Sequence, residues 1–509
     1  MKKFLCVLLC LAMLTCITPL MSFAVEGETT PSGTAINNQN GLAAIDGGGD
    51  FYLTEDIYVD LSTATFPLIK DTFSGTLDGR GHSVLFVKKN ADGTLTTENN
   101  KTNSVTLTAS GGVVFKSYKV LKLSNITFGS AEAPILLTAS TANAGVFGNE
   151  INRTASDIPV KGAPTLENVT VYCELNANRN GSMNQGIYWA QTMLHNITLT
   201  NCKAIGKINV SKHVTTAYMQ LGGFIGNYRP SSALTMRFIN CVSDVEFNVT
   251  TQEGTVSNGN SYGGFVGYLD CSAKANSVVF ENCMAMHTPD LKNSKGESAH
   301  NGAFCGQVAY DGDPVTEGTA AKRVTTTNCL TLDNLVNDLS FATANDASVR
   351  FNAPTGIRFY NTISAKAFDT LVNAFGEDNV TMGTIIAPAI LVQNAGAFTK
   401  EALDNLNSQS PTYLDVAFGG EWFETENDTN TYVGSIVNIL EDNYDLGYCG
   451  IGYITFNDGT GTKTVYANYG EQGIPAFTVR SLAEAVMADP NASEAEKAVV
   501  AKYLGTSEQ

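Results

Sequence analysis

Asp244 and Glu246 are the pair whose types and spacing come nearest to a catalytic arrangement. In Asp244-Val245-Glu246-Phe247 strand alternation puts both carboxylates on one face and Val245 and Phe247 on the other. Glycosidases and lyases that work on extended sheets use clustered carboxylates, often with a cation, on one outer face. Ordinary surface charge explains the pair as well, because matched offsets place Glu246 beside Lys207 and Lys207 beside Glu174. The five histidines, His82, His195, His213, His287 and His300, show no metal-ligand spacing and no H-E-x-x-H, and each reads as a surface or turn residue. His82 belongs to the Asp78–Ser83 turn. No G-x-S-x-G elbow or phosphate loop occurs. Asp92-Gly93 and Asp311-Gly312-Asp313 read as turns and lack a full EF-hand spacing. Tyr188, Trp189, Tyr228 and Tyr268 are placed either to stack on sugars or to pack in the core. No catalytic, cofactor-binding or metal residue is assigned, no cofactor is expected, and the binding residues stay open.

Of eleven cysteines, Cys6, Cys10 and Cys16 fall in the apolar leader. Cys202, Cys241, Cys283 and Cys329 occupy the slot that Ile126 and Val169 hold elsewhere, so they are expected as small buried apolar side chains with free thiols. Cys305 aligns with Ile225 and Val266, and Cys173 with Gly206 and Val245. Cys271 falls in a loop, and Cys449 stands alone near the C-terminus.

The elements that position these residues repeat. One pattern is a small-residue segment, read as a strand: Gly111-Gly112-Val113-Val114, Ala144-Gly145-Val146-Phe147, Gln185-Gly186-Ile187-Tyr188, Gly222-Gly223-Phe224-Ile225, Gly263-Gly264-Phe265-Val266 and Gly302-Ala303-Phe304-Cys305, roughly 33 to 41 residues apart. The other is Leu123-x-Asn125-Ile126-x-Phe128, with counterparts around Asn168, Asn201, Asn240 and Asn282 and a weaker copy at Asn328-Cys329. Its apolar residues change parity at the asparagine. That demands a bend, and asparagine tolerates the left-handed backbone well. Stacked copies would align these asparagines in a ladder. A third segment follows in register: Leu175, Ile208 and Phe247 face inward, and Asn176, Asn209 and Asn248 face water. The same Asn-x-Thr triplets, at Asn125, Asn168 and Asn196, fit a glycosylation sequon, but turn asparagines in Thr-rich strands account for them.

These spacings predict a mainly β fold: a right-handed parallel β-helix with three strands per coil over residues 45–335, followed by a smaller α+β domain over 336–509. A β-propeller has a similar period but wants four antiparallel strands per blade. Phe73-x-Gly75-x-Leu77-Asp78-Gly79-x-Gly81-His82-x-Val84, followed by the G-G-F-[IV]-G and [FL]-x-N-C repeats, resembles bacterial secreted surface proteins with GLUG-type repeats in a pectin-lyase-like β-helix. The resemblance implies a fold and leaves activity open, since such scaffolds host adhesins, lyases and fibres. In the second domain, a helix is expected from Ser364 to Gly376, a buried strand around Ile385, strand structure around Thr431–Ile439, a hairpin from Gly450 to Ala467, and two closing helices. Gly356-Ile357-Arg358-Phe359, Gly383–Pro388 and Tyr413–Val416 resemble a C-terminal module of secreted clostridial proteins that has no assigned chemistry.

Residues 1–24 read as a secretory signal: Lys2 and Lys3, an apolar run, then Ser22-Phe23-Ala24. A retained anchor and a lipid-modified Cys16 are the alternatives. Residues 25–44 read as a disordered linker. The net charge is −18, and losing Lys2 and Lys3 with the leader makes it −20. Such an acidic surface argues against nucleic acid and anionic lipid as partners. No later stretch spans a membrane. The expected function is binding or structural at an extracellular surface, with carbohydrate or a host or cell-surface protein as partner. A polysaccharide lyase or glycoside hydrolase is the alternative, and a passive stalk presenting the C-terminal module is a third.

Overall fold

The computed structural model describes residues 33–90, 92–96, 104–150, 165–179, 181–192, 196–213, 218–229, 234–251, 260–270, 277–291, 300–309, 323–406, 413–458, 461–469 and 473–505. The expected signal at 1–24, His195, Cys271 and Asp311–Asp313 lie outside them. The chain is mainly β, with parallel pairing up to Thr331, apart from the short antiparallel pair of Ser83–Lys89 with Leu95–Thr96, and antiparallel sheets beyond it.

The parallel part is built as the asparagine pattern requires. Asn125, Asn168, Asn201, Asn240, Asn282 and Asn328 all have φ between 50° and 54°. Each bend turns the chain, so the residues on both sides of it bury their side chains: Leu199, Cys202 and Ala204 are all solvent-inaccessible. The bends stack. Asn168 Nδ2 donates to Asn125 Oδ1 (2.7 Å), Asn201 to Asn168 (2.9 Å), Asn240 to Asn201 (3.0 Å), Asn282 to Asn240 (3.1 Å) and Asn328 to Asn282 (3.1 Å). Asp78 Oδ1 ends the ladder by accepting from Asn125 Nδ2 at 3.1 Å. Each amide from Asn125 to Asn282 thus donates to one neighbour and accepts from the other, so the side chains of the bends satisfy one another along the stack.

Register follows the third segment as well. Leu175 pairs with Ile208 and Ile208 with Phe247, while Glu174, Lys207 and Glu246 align in one row. Leu175 and Ile208 are fully buried, and Phe247 is half-buried against the same core.

The small-residue segment differs from expectation. It is a turn between two strands rather than one strand. In one repeat Met219–Gly222 ends at the glycine pair, Ile225–Tyr228 begins after it, and Thr235–Ile239 and Val242–Thr251 follow. A repeat therefore carries four strands, not three. The strands before the turns form one six-stranded parallel sheet, and those after them form a four-stranded one. The glycines set the register: Gly186 pairs with Gly222, Gly222 with Gly263 and Gly263 with Gly302. A Cβ on Gly222 would overlap the Ile225 carbonyl oxygen, and one on Gly263 the Val266 oxygen. Tyr188 consequently stacks over Phe224 at 4.7 Å, Phe224 over Phe265 at 5.1 Å and Phe265 over Phe304 at 5.4 Å. Those separations are close to the strand spacing of a sheet.

Residues 34–43, expected to be disordered, are ordered. Thr34–Ile36 pairs with Phe51–Leu53, and the short helix Gln39–Ala43 buries Leu42 completely.

Beyond Leu335 two four-stranded antiparallel sheets face each other. One contains Ala342–Arg350, Gly356–Ser364, Glu424–Glu426 and Thr429–Val437. The other contains Val380–Pro388, Leu414–Ala417, Tyr448–Asn457 and Thr462–Tyr466. Glycines let them approach: a Cβ on Gly450 would strike the Phe359 ring, and one on Gly434 the Thr384 side chain. Between them a buried chain runs from Thr343 Oγ1 to Asn361 Oδ1 (2.7 Å) and from Asn361 Nδ2 to Thr384 Oγ1 (2.8 Å). Helix Ala365–Phe375 starts on the Ser364 cap and stops at Gly376, as expected. It rests on the parallel part, with Thr370 Oγ1 donating to Asn328 O (3.2 Å) and Lys203 Nζ to Ala374 O (3.2 Å). Val242, Met284, Met286 and Leu330 join the core of the C-terminal sheets. Among the described residues no helix is long and apolar enough to cross a membrane.

Candidate functional site

Asp244 and Glu246 do share a face, and the fold brings four further ionisable side chains to the same groove. The strand Lys203–His213 supplies Lys207, the strand Val242–Thr251 supplies both carboxylates, and His287 follows the short strand Met284–Ala285 of the next repeat. Lys207 Nζ lies 2.8 Å from Glu246 Oε2, and His287 Nε2 lies 2.9 Å from Asp244 Oδ1. The antiparallel hairpin of the C-terminal part forms the opposite wall, where Lys463 Nζ lies 3.1 Å from Asp458 Oδ2. Together these side chains line a groove of about 340 Å³ with a floor of Ile205, Met286 and Leu332. A smaller recess of about 160 Å³ continues it past Asp244 and Met286 toward Phe375.

Its electrostatics follow from the pairing. The hydrogen bond that His287 Nε2 donates to Asp244 raises the His287 pKa above the usual imidazole value, against partial burial, with the charges of Asp244, Glu246 and Asp333 adding in the same direction. Glu246 raises Lys207 in the same way. Each base favours its charged form, and each carboxylate of the strand is paired with a base from a neighbouring repeat. The groove is a set of closed ion pairs over an apolar floor. Such walls can both donate to and accept from hydroxyl groups. Two residues along a strand place the Asp244 and Glu246 Cα atoms about 7 Å apart.

The aromatic candidates separate differently. Tyr188, Trp189 and Tyr228 are inaccessible to solvent, so they do not stack on sugars. Tyr188 donates its hydroxyl to Val169 O at 2.7 Å, and burial pushes its pKa up. Tyr268 is half-buried. The turn that converts the small-residue segment into two strands is what sends these rings inward.

No protein-family model matches the chain, and no curated protein or solved structure matches it.

The remaining candidates stay apart. His82 lies 3.6 Å from Asp56 on a turn, and His300 is exposed at the edge of the six-stranded sheet. Asp92 caps its own turn by accepting from Thr94 N at 2.9 Å. Cys202, Cys241 and Cys283 are buried free thiols, each directed at a backbone carbonyl. Burial raises the pKa of Cys173 and Cys241. Among the described residues no group of three or more His, Cys, Asp or Glu side chains could hold a metal ion. Sequence reasoning missed His287 as a partner, because its repeat offset aligns it with the inward-facing Val245 rather than with Asp244 or Glu246. It also missed Asp458 and Lys463, which no repeat offset connects to the groove.

Proposed function

We propose that this chain is an exported surface-type binding protein whose parallel sheets wind as a right-handed β-helix with GLUG-type repeats, and that it binds a hydroxyl-rich glycan in the groove beside Asp244. The observation that carries this reading is the convergence of three ion pairs from separate segments on one groove: Lys207–Glu246, His287–Asp244 and Lys463–Asp458. A glycan hydroxyl can donate to such a carboxylate and accept from such an ammonium without leaving a charge bare. The rigid stacking of repeats supplies the preorganisation that keeps the cost of binding low. The test is a glycan array read with the whole protein and with Lys207→Ala and Lys463→Ala. Binding to a defined glycan set that both substitutions weaken supports the reading. Signals no better than those of an unrelated acidic protein sink it.

One observation favours a second reading, a polysaccharide lyase or hydrolase. His287, Lys207 and two carboxylates meet across three neighbouring repeats, a mix of acidic and basic side chains suited to general acid–base chemistry. A panel of acidic and neutral polysaccharides, followed by ultraviolet absorbance for unsaturated ends and by a reducing-end assay, decides between them. Product formation abolished by His287→Ala would replace binding by catalysis.

A further inference from the structure

A second cavity, of about 620 Å³, opens in the C-terminal part against helix Ala365–Phe375 and shares no lining residue with the groove or its recess. Phe368 and Val372 of that helix, Phe418 and Trp422 are among its walls, with the carboxylates Asp369 and Glu377. The Trp422 and Phe368 rings meet edge to face at 5.6 Å and 87°, and Phe418 lies 4.8 Å from Trp422. Trp422 and Phe368 are half-buried, whereas Asp369 and Glu377 are exposed. None of the residues lining the cavity carries a positive charge. Neither carboxylate makes an ion pair among the described residues.

We propose that this cavity binds an organic cation of the quaternary ammonium class. Three aromatic rings line the cavity, and the electron-rich face of such a ring attracts a cation. Two unpaired carboxylates add attraction of the same sign in a chain whose net charge is −18. A quaternary ammonium is weakly hydrated, has no N–H to satisfy, and presents methyl groups to the apolar wall. A primary ammonium would lose a full hydration shell on entering a cavity lined mainly by carbon. An anionic ligand is opposed by both carboxylates. The site is independent of the groove and of the function proposed for it.

The chain has two tryptophans, and Trp189 is solvent-inaccessible, so a ligand-dependent change in emission reports on Trp422. The experiment titrates the whole protein with choline, with its neutral isostere 3,3-dimethylbutan-1-ol, and with Nα-acetyl-lysine amide, at constant ionic strength. Isothermal calorimetry runs in parallel. Choline is expected to saturate the signal, with the isostere at least tenfold weaker. The double variant Asp369→Asn/Glu377→Gln, both positions exposed and therefore tolerant, is expected to weaken choline fivefold or more with an unchanged melting temperature. Trp422→Phe removes the optical signal and leaves calorimetric binding. Equal binding of the neutral isostere overturns the proposal, as does tighter binding of the lysine derivative. Absence of saturable choline binding by both methods overturns it too.

Discussion

Asp244 and His287 come from neighbouring repeats, and each fixes the other's charge. Because Asp244 favours the imidazolium form, His287 should titrate above the ordinary value of about 6.5 in an NMR pH series. Asp244→Asn should move that midpoint down, and an unmoved midpoint would dissolve the pair as a functional unit. The link to stability has a definite sign. A folded-state pKa raised above the unfolded one gives stabilisation that is complete below the unfolded pKa and lost as pH rises through the folded one. The gap in denaturant midpoint between the wild type and Asp244→Asn should therefore be larger at pH 5.5 than at pH 9. With side chains 39% and 33% exposed, the gap should be small at either pH. The thiols behave differently at this scale. Cys202, Cys241 and Cys283 replace Ile126 and Val169 in a packed row, and their role is volume.

At the scale of elements the asparagine bend and the glycine turn do different work, and substitutions separate them. Asn201 has φ 52° and makes two ladder bonds, to Asn168 and from Asn240. Asn201→Gly keeps the bend and removes the ladder, for an expected loss of about 1–2 kcal/mol in chemical denaturation. Asn201→Ala adds the left-handed penalty of about 1–2 kcal/mol. Equal losses would mean that the backbone conformation carries no cost there. Gly222→Ala should be far worse, about 4 kcal/mol or a failure to fold, because the new methyl meets the Ile225 carbonyl and neither strand can retreat. Gly111→Ala is the control, since nothing lies within 4 Å of its Cβ position. The asparagine bends and the pairing of Leu175, Ile208 and Phe247 were legible in the sequence because a parity change in an apolar pattern has few structural causes. The turn at Gly222-Gly223 was not. Four small and apolar residues suit a strand as well as a turn, and only the overlap of a missing Cβ with the next strand distinguishes them. For the same reason Tyr188 pairs with Phe224 rather than Ile225, and the aromatic residues face the core. The groove was half legible. Repeat offsets aligned Glu174, Lys207 and Glu246, whereas Asp458 and Lys463 arrive from a hairpin more than two hundred residues later.

At the scale of the whole molecule, the parallel and antiparallel parts share a core. Val242, Met284, Met286 and Leu330 are 8%, 0%, 6% and 0% exposed, and all four pack into the C-terminal cluster. Burying such side chains is worth about 1.5–3 kcal/mol each, so their contact is comparable with the stability of a whole domain. A passive stalk needs no such contact with the module it presents. A chain cut after Asn334 should expose those four residues, bind the dye ANS, and self-associate in light scattering. It should also lose glycan binding, because Asp458 and Lys463 form the far wall of the groove. Conversely, Lys463→Ala in the whole chain should weaken binding and also lower the melting temperature, since the Asp458 carboxylate that this ammonium pairs with is only 6% exposed and loses its cation. A truncated chain that stays monomeric, ignores ANS and binds glycan undiminished would make the C-terminal part a separable module. The site would then have to be sought on the repeats alone.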